Sequence, residues 1–170
     1  MEDNFGRVIA GVIGVLFLFF LPVLSISLKS DNTSQAYIDN AVVEFVDNAR
    51  ATGQITDEAY EKMCSKIDLI QPFCDIQISH SSKYAVGDGH GGYEICYFAY
   101  QKSDILDTIY TQSGENKPYY LKHGDFLQVT VVNTQPTLAT KLYRLIMPQY
   151  NPNNVTLYTC YSGYVGNKPE

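Results

Sequence analysis

Tryptophan is absent from this 170-residue chain, and charge is sparse in one place above all. No charged residue lies between Arg7 and Lys29. Basic residues are also in the minority, 12 Lys+Arg against 18 Asp+Glu, a net charge of -6. That balance argues against a protein built to hold nucleic-acid phosphates, which needs a basic face. The four cysteines, Cys64, Cys74, Cys96 and Cys160, include no C-x-x-C pair, so the spacing of a structural zinc site is missing. The histidines, His80, His90 and His123, form no H-x-x-x-H arrangement, and there is no G-x-S-x-G. No repeat or low-complexity tract interrupts the chain. These absences remove the motif-based routes to metal binding and nucleophilic catalysis. The expectation is a non-enzymatic protein with no cofactor, no metal and no small-molecule substrate.

The charge-free stretch runs VIAGVIGVLFLFFLPVLSISL, the 21 residues from Val8 to Leu28. As an α-helix it would rise about 31 Å, enough to cross a hydrocarbon core of roughly 30 Å. A lone span must satisfy its own backbone groups, so a helix is expected. The residues that would face lipid are Val8, Ile9, Val12, Val15, Leu16, Phe17, Leu18, Phe19, Phe20, Leu21, Pro22 and Leu24. Pro22 removes one helical donor and predicts a kink. The competing reading is a signal peptide cleaved after Ser27, at the Ser25-x-Ser27 pair. A signal peptide has a basic start and a shorter apolar core, whereas this one has Glu2 and Asp3 beside Arg7. A retained anchor is therefore favoured. Residues 1–30 are read as the anchor with a short cytoplasmic N-terminus. Residues 31–170 are read as an exported head, giving a single-pass protein of the cell membrane. Arg7 and Lys29 nearly balance across the span, so charge alone sets the orientation weakly. The first 30 residues are neutral overall, so the head carries the entire -6. A solubilising surface accounts for that acidity.

Beyond Ser30 a helical stripe appears: Ile38, Val42, Phe45 and Ala49, at spacings of four, three and four, with Gly53 as a stop. The membrane helix is expected to run into this one. Thr56 is an N-cap candidate, with Asp57 and Glu58 at the positive end of the helix dipole. Tyr60, Met63, Cys64 and Ile67 define the buried face, and Pro72 lies beyond the end. The period then changes to alternation in Phe73–His80, Tyr93–Tyr100, Asp125–Asn133 and Val155–Val165, which predicts four strands. Two short helices are expected between them. One is capped by Ser103 and covers Asp104–Ser113. The other starts at Pro136, carries Leu138, Leu142 and Leu145 on its apolar face, and stops at Pro148. The predicted fold is α+β: an N-terminal membrane helix continuing into amphipathic helices packed on an antiparallel sheet of about four strands.

The Val86-Gly-Asp-Gly-His-Gly-Gly92 loop offers one carboxylate and precedes a strand, so a hairpin connection is a better reading than a calcium or phosphate site. His123-Gly124-Asp125 reads as a turn, and the histidines as surface or loop residues. The even cysteine count leaves two readings open. One is two disulfides in any of three connectivities, among them Cys64 to Cys74 with Cys96 to Cys160, and the other is four reduced thiols serving as small apolar residues. Asn32-Thr-Ser34 and Asn154-Val-Thr156 match the glycosylation pattern, which matters only in a host with that machinery.

The span ending LFFLPVLSISLKSD, the segment AYIDNAVVEFVDNARATGQITDEAYEKMCSKID and the later GDFLQVTVVNTQPTLATKL together resemble the layout of TadE/TadF-like pseudopilins. Those are small membrane proteins of tight-adherence (Tad) pilus and type II secretion-like systems in Gram-positive anaerobes. The resemblance implies an anchor helix in the membrane or filament base and an exported head that contacts other pilus or secretion-system subunits. The chain departs from processed pilins in lacking an acidic residue in the apolar stretch. The resemblance therefore implies a minor, assembly-associated role. The alternative is a secreted or tethered extracellular module, with its Tyr-rich strands presenting an adhesion or ligand surface.

Overall fold

In the computed structural model, residues 2–89, 91–110, 117–147, 149 and 157–166 are described. The chain opens with one uninterrupted helix, α1 (Glu2–Thr52), of 51 residues. The polar Ser30–Ser34 segment does not break it, because it holds neither Gly nor Pro. The anchor–head boundary near residue 30 therefore falls inside a continuous helix. α1 ends at Gly53, whose φ of 68° suits a left-handed cap and whose N–H bonds Ala49 O.

After β1 (Gln54–Ile55) comes α2 (Asp57–Ile70), whose Thr56 side chain accepts from the Ala59 N–H. The hairpin strands β2 (Cys74–Gly87) and β3 (Tyr93–Gln101) follow, then α3 (Lys102–Ile109) and β4 (Tyr119–Tyr120). The chain continues through β5 (Phe126–Asn133), α4 (Leu138–Ile146) and β6 (Tyr158–Tyr164). The main sheet is antiparallel in the order β3-β2-β5-β6, and β1 pairs with β4 in a two-stranded accessory. The fold is thus α+β, with a long apolar N-terminal helix and a four-stranded antiparallel sheet.

Alternation decides which face the helices cover. Leu127, Val129 and Val131 of β5 are buried, level with Ile76 and Ile78 of β2 and with Thr159 of β6. The C-terminal half of α1 crosses this face, and α2 packs beside it. Ile38, Val42, Phe45, Val46 and Ala49 meet the sheet in one core with Met63, Ile67, Ile105 and Ile109. Each such aliphatic or aromatic side chain taken from water contributes about 1.5–3 kcal/mol.

Several element ends differ from expectation. β2 runs seven residues past His80 to Gly87, since pairing with β3 supplies partners for the polar Ser81-Ser82-Lys83 stretch. α3 starts at Lys102, because the Asp104 carboxylate reaches back to the Gln101 N–H, so Ser103 is inside the helix and not its cap. In α4 Thr137 is the cap, accepting from the Thr140 N–H, which leaves Pro136 just outside. The predicted end of α3 at Ser113, the stop at Pro148 and the start of the last strand at Val155 lie outside the described residues.

Candidate functional site

The apolar half of α1 inverts the usual rule of burial. From Asn4 to Phe19 every residue is exposed, and Leu18 in mid-span is 68% exposed. Of the residues predicted to face lipid, Val8, Ile9, Val12, Val15, Leu16, Phe17, Leu18, Phe19, Leu21 and Pro22 are exposed, while Phe20 and Leu24 are half-buried. A contiguous surface of this size is unfavourable in water, where apolar area costs about 25 cal/mol per Å². By length and composition this helix can cross a membrane or act as a signal sequence. Two hydroxyls of α1 bond back to the helix: Ser27 Oγ donates to Val23 O at 2.9 Å, and Thr33 Oγ1, just past the span, donates to Lys29 O at 2.9 Å. Back-bonding of this kind suits a helix in an apolar medium.

The other half of α1 is fastened to the sheet by more than apolar contact. Ile38, Val42, Phe45 and Ala49 are all buried. Gln35 treats edge strand β6 as a further strand would. Its amide nitrogen donates to Tyr158 O at 2.9 Å, and its carbonyl accepts the Tyr158 N–H at 3.1 Å. At the far end of the strand, Arg50 Nε donates to Tyr164 O at 2.8 Å while Nη1 bonds Asp47. The guanidinium lies over Gly163, where an added Cβ would come within 2.5 Å of it. Across to α2, Glu44 bonds both Lys62 and Lys66, and those contacts hold its carboxyl down at about 2.

A buried polar cluster lies at the Tyr164 end of the sheet, around the start of β5. His80 Nε2 bonds Asp125 Oδ2 at 2.8 Å, and His80 Nδ1 meets the Tyr119 hydroxyl at 2.8 Å. Ser82 Oγ donates to Asp125 Oδ1 at 2.7 Å, and the Lys122 N–H donates to Oδ2 at 2.8 Å. His80, Ser82 and Asp125 are each at most 3% exposed. A carboxylate only accepts, so Nε2 carries a proton and donates to Asp125. Burial pushes the Asp125 carboxyl up. The hydrogen bonds from Ser82, Lys122 and His80, with the histidine's charge, outweigh that and hold it below the usual range. Burial pushes the Tyr119 hydroxyl up to about 12, so it keeps its proton. Tyr100 stacks on the imidazole at 5.4 Å.

These residues include three familiar from hydrolase triads, but the connectivity differs. The serine bonds the aspartate, not the histidine, and both imidazole nitrogens are occupied. The cluster ties β2, β4 and the start of β5 together. The expectation of surface or loop histidines thus fails at His80, which sits inside the sheet. Strand parity is the signal that could have located it. His80 and Ser82 continue the inward series of Ile76 and Ile78, and Asp125 shares the parity of Leu127.

The cysteines are free: Cys64, Cys74 and Cys96 are half-buried and Cys160 is exposed. Cys64 and Cys74 both pack at the edge of the core. A Cys96–Cys160 bridge does not fit the topology. The two residues are on β3 and β6, the opposite edges of the sheet, with β2 and β5 between them. Three strand spacings are about 14 Å, twice the reach of a disulfide.

The glycine-rich segment is a hairpin connection, as its composition predicts. Asp88 N–H bonds Gly92 O at 3.1 Å, the Asp88 carboxylate accepts the Gly92 N–H at 2.8 Å, and Gly89 has a φ of 74°. His90 lies outside the described residues. Because β5 pairs with β2 only from Cys74 to Ser81, the distal hairpin, Ser82–Gly87 with Tyr93–Phe98, projects beyond the sheet. It exposes Val86, Tyr93, Ile95, Tyr97 and Phe98, with Tyr93 81% exposed.

Compared with protein-family models, curated proteins and solved structures, the chain matches none.

Proposed function

We propose that the chain is a single-pass, pseudopilin-like component of a pilus assembly or secretion apparatus, acting by packing and contact. One observation carries this reading. A single helix has one half bare and apolar, while the other half is seated across an antiparallel sheet. That division of labour suits a membrane anchor rigidly presenting a head outside the cytoplasm. Partners in this reading are the bilayer and other subunits of the apparatus, with neither nucleic acid nor small-molecule substrate. The absence of an acidic side chain in the span favours a minor, assembly-associated role over that of a polymerising subunit.

N-terminal sequencing of the mature protein, combined with membrane fractionation, tests the anchor. The expected result is membrane-bound protein that retains Val8–Leu28. A soluble product starting just after Ser27 overturns it. The role in assembly is tested by deleting the gene. Loss of surface filaments or of secretion is expected, and unchanged assembly overturns it.

The projecting aromatic hairpin favours a second reading, a tethered extracellular binding module. Tyrosines on a rigid ribbon give large contact area at low entropic cost. Replacing Tyr93 and Tyr97 with Ser would then abolish adhesion or ligand capture while leaving assembly untouched. Under the preferred reading the same changes weaken subunit contact.

A further inference from the structure

The leucines of α4 point the wrong way for a core helix. Leu138 is 60% exposed and Leu145 76%, Leu142 is half-exposed, and Ile146 and Met147 are exposed beyond them. The helix packs instead through Ala139 and Thr140, both buried. Leu138, Leu142 and Leu145 fall on one face by their four- and three-residue spacing. The expected apolar face therefore exists but is turned outward. The nine residues also carry Lys141 and Arg144 and no acidic side chain, within a chain of net charge -6.

Position supplies the reason. α4 packs on α1. Thr137, its cap, donates to Asp31 Oδ2 at 2.7 Å, and Asp31 is three residues past the end of the uncharged span. That is a rise of about 4.5 Å. Between Asn4 and Ser30 three residues of α1 are not exposed: Phe20, Leu24 and Ser27. With Asp31 they form a strip at spacings of four, three and four. The strip is about 16 Å long, and a nine-residue helix is about 13 Å. One face of α1 is thus partly covered down into the span, in line with the Asp31 that the α4 cap holds.

We propose that α4 is an interfacial membrane helix: its Leu138–Leu142–Leu145 face enters the acyl boundary of the leaflet that α1 crosses on the head side, and Lys141 reaches the phosphates. A short helix with an apolar face and basic flank in contact with a spanning helix has the features of an element lying in the interface plane. The lipids it fits best are anionic, since it is a basic patch on an acidic head. The proposal rests on the anchor reading above.

The missing tryptophan makes the test direct, since one introduced Trp is the only indole in the protein. The full chain is reconstituted in phosphatidylcholine/phosphatidylglycerol vesicles, with matched vesicles of acyl-brominated lipid as quencher. Three variants are compared: Leu18→Trp in the span, Leu145→Trp on α4, and Leu69→Trp at the exposed end of α2. The expected result is blue-shifted, bromine-quenched emission from Leu18→Trp and Leu145→Trp, and red, unquenched emission from Leu69→Trp. Quenching of Leu18→Trp alone overturns the α4 proposal and leaves the anchor standing. Loss of quenching in both overturns the anchor. A blue shift of Leu145→Trp that depends on protein density and not on brominated lipid assigns the face to a second copy, which also overturns the proposal. Lys141→Glu is expected to reduce quenching of Leu145→Trp in phosphatidylglycerol vesicles and to have little effect in pure phosphatidylcholine. Equal effects in both overturn the preference for anionic lipid.

Discussion

At the scale of single residues, the costliest position in the head is Asp125. Among the described residues no buried side-chain nitrogen or oxygen lacks a partner, and three donors converge on this carboxylate. Asp125→Ala strands all three in a dry site and is expected to cost about 3–5 kcal/mol in chemical unfolding. Its folded-state value is depressed, so its contribution is fully present above the ordinary carboxylate value near 4 and disappears as pH falls through the folded value. Asp125→Asn is therefore expected to be less stable near neutrality and to lose less stability on acidification. Parallel urea titrations at neutral and acid pH check the difference. Glu44 behaves with the same sign, over the window from about 4.5 down to about 2. Because it is exposed, its effect should be small and should fade with added salt.

Helices and strands were unequally legible in the sequence. The inward residues of α1 and β5 follow strict periodicity and are buried as their spacing implies, whereas on α2 Met63 and Ile67 are buried and Tyr60 and Cys64 half-buried. Phe45→Ala should accordingly cost about 3–5 kcal/mol, read by unfolding the detergent-solubilised full chain. Leu18→Arg sets a charge at mid-span and is expected to impede insertion by about 2.5–3.5 kcal/mol. Undiminished membrane fractionation of that variant would remove the basis for a spanning helix. Periodicity failed in two ways. At His80 and Ser82 it continued through polar residues, which composition disguised as a loop. On α4 it correctly grouped Leu138, Leu142 and Leu145 but gave no direction for the face, because a helical stripe is the same for protein and for lipid. The accessory β1–β4 pair has two residues per strand, too few for any period to register. Cap positions shifted by one or two residues at α3 and α4, where several polar side chains compete for the same N–H groups.

For the molecule as a whole, β6 is what joins α1 to the sheet. Gln35 and Arg50 hold its two ends, and the apolar stripe between them fills the sheet. Gln35→Ala frees the Tyr158 backbone at a sheet edge, and faster amide exchange along β6 is expected, with β3 unchanged. The hairpin and the anchor lie at sites with independent tests, so contact and insertion can be separated: Tyr97→Ser should leave membrane fractionation intact. A variant that lost both together would instead report a folding defect.

The uninterrupted course of α1 has a further consequence, one of phase. A helix turns about 100° per residue, and no flexible joint separates the span from the stripe that seats in the sheet. If α1 spans a bilayer as proposed, the rotational setting of the head dictates which side of the span faces a neighbour there. Inserting one alanine after Ser34 should rotate the span by about 100° relative to the sheet, and inserting four by about 40° with a rise of about 6 Å. Cysteine cross-linking along the span would register the change as a shift in which positions meet a partner. The face that the apolar half of α1 presents is keyed to the head like the bit of a key to its bow.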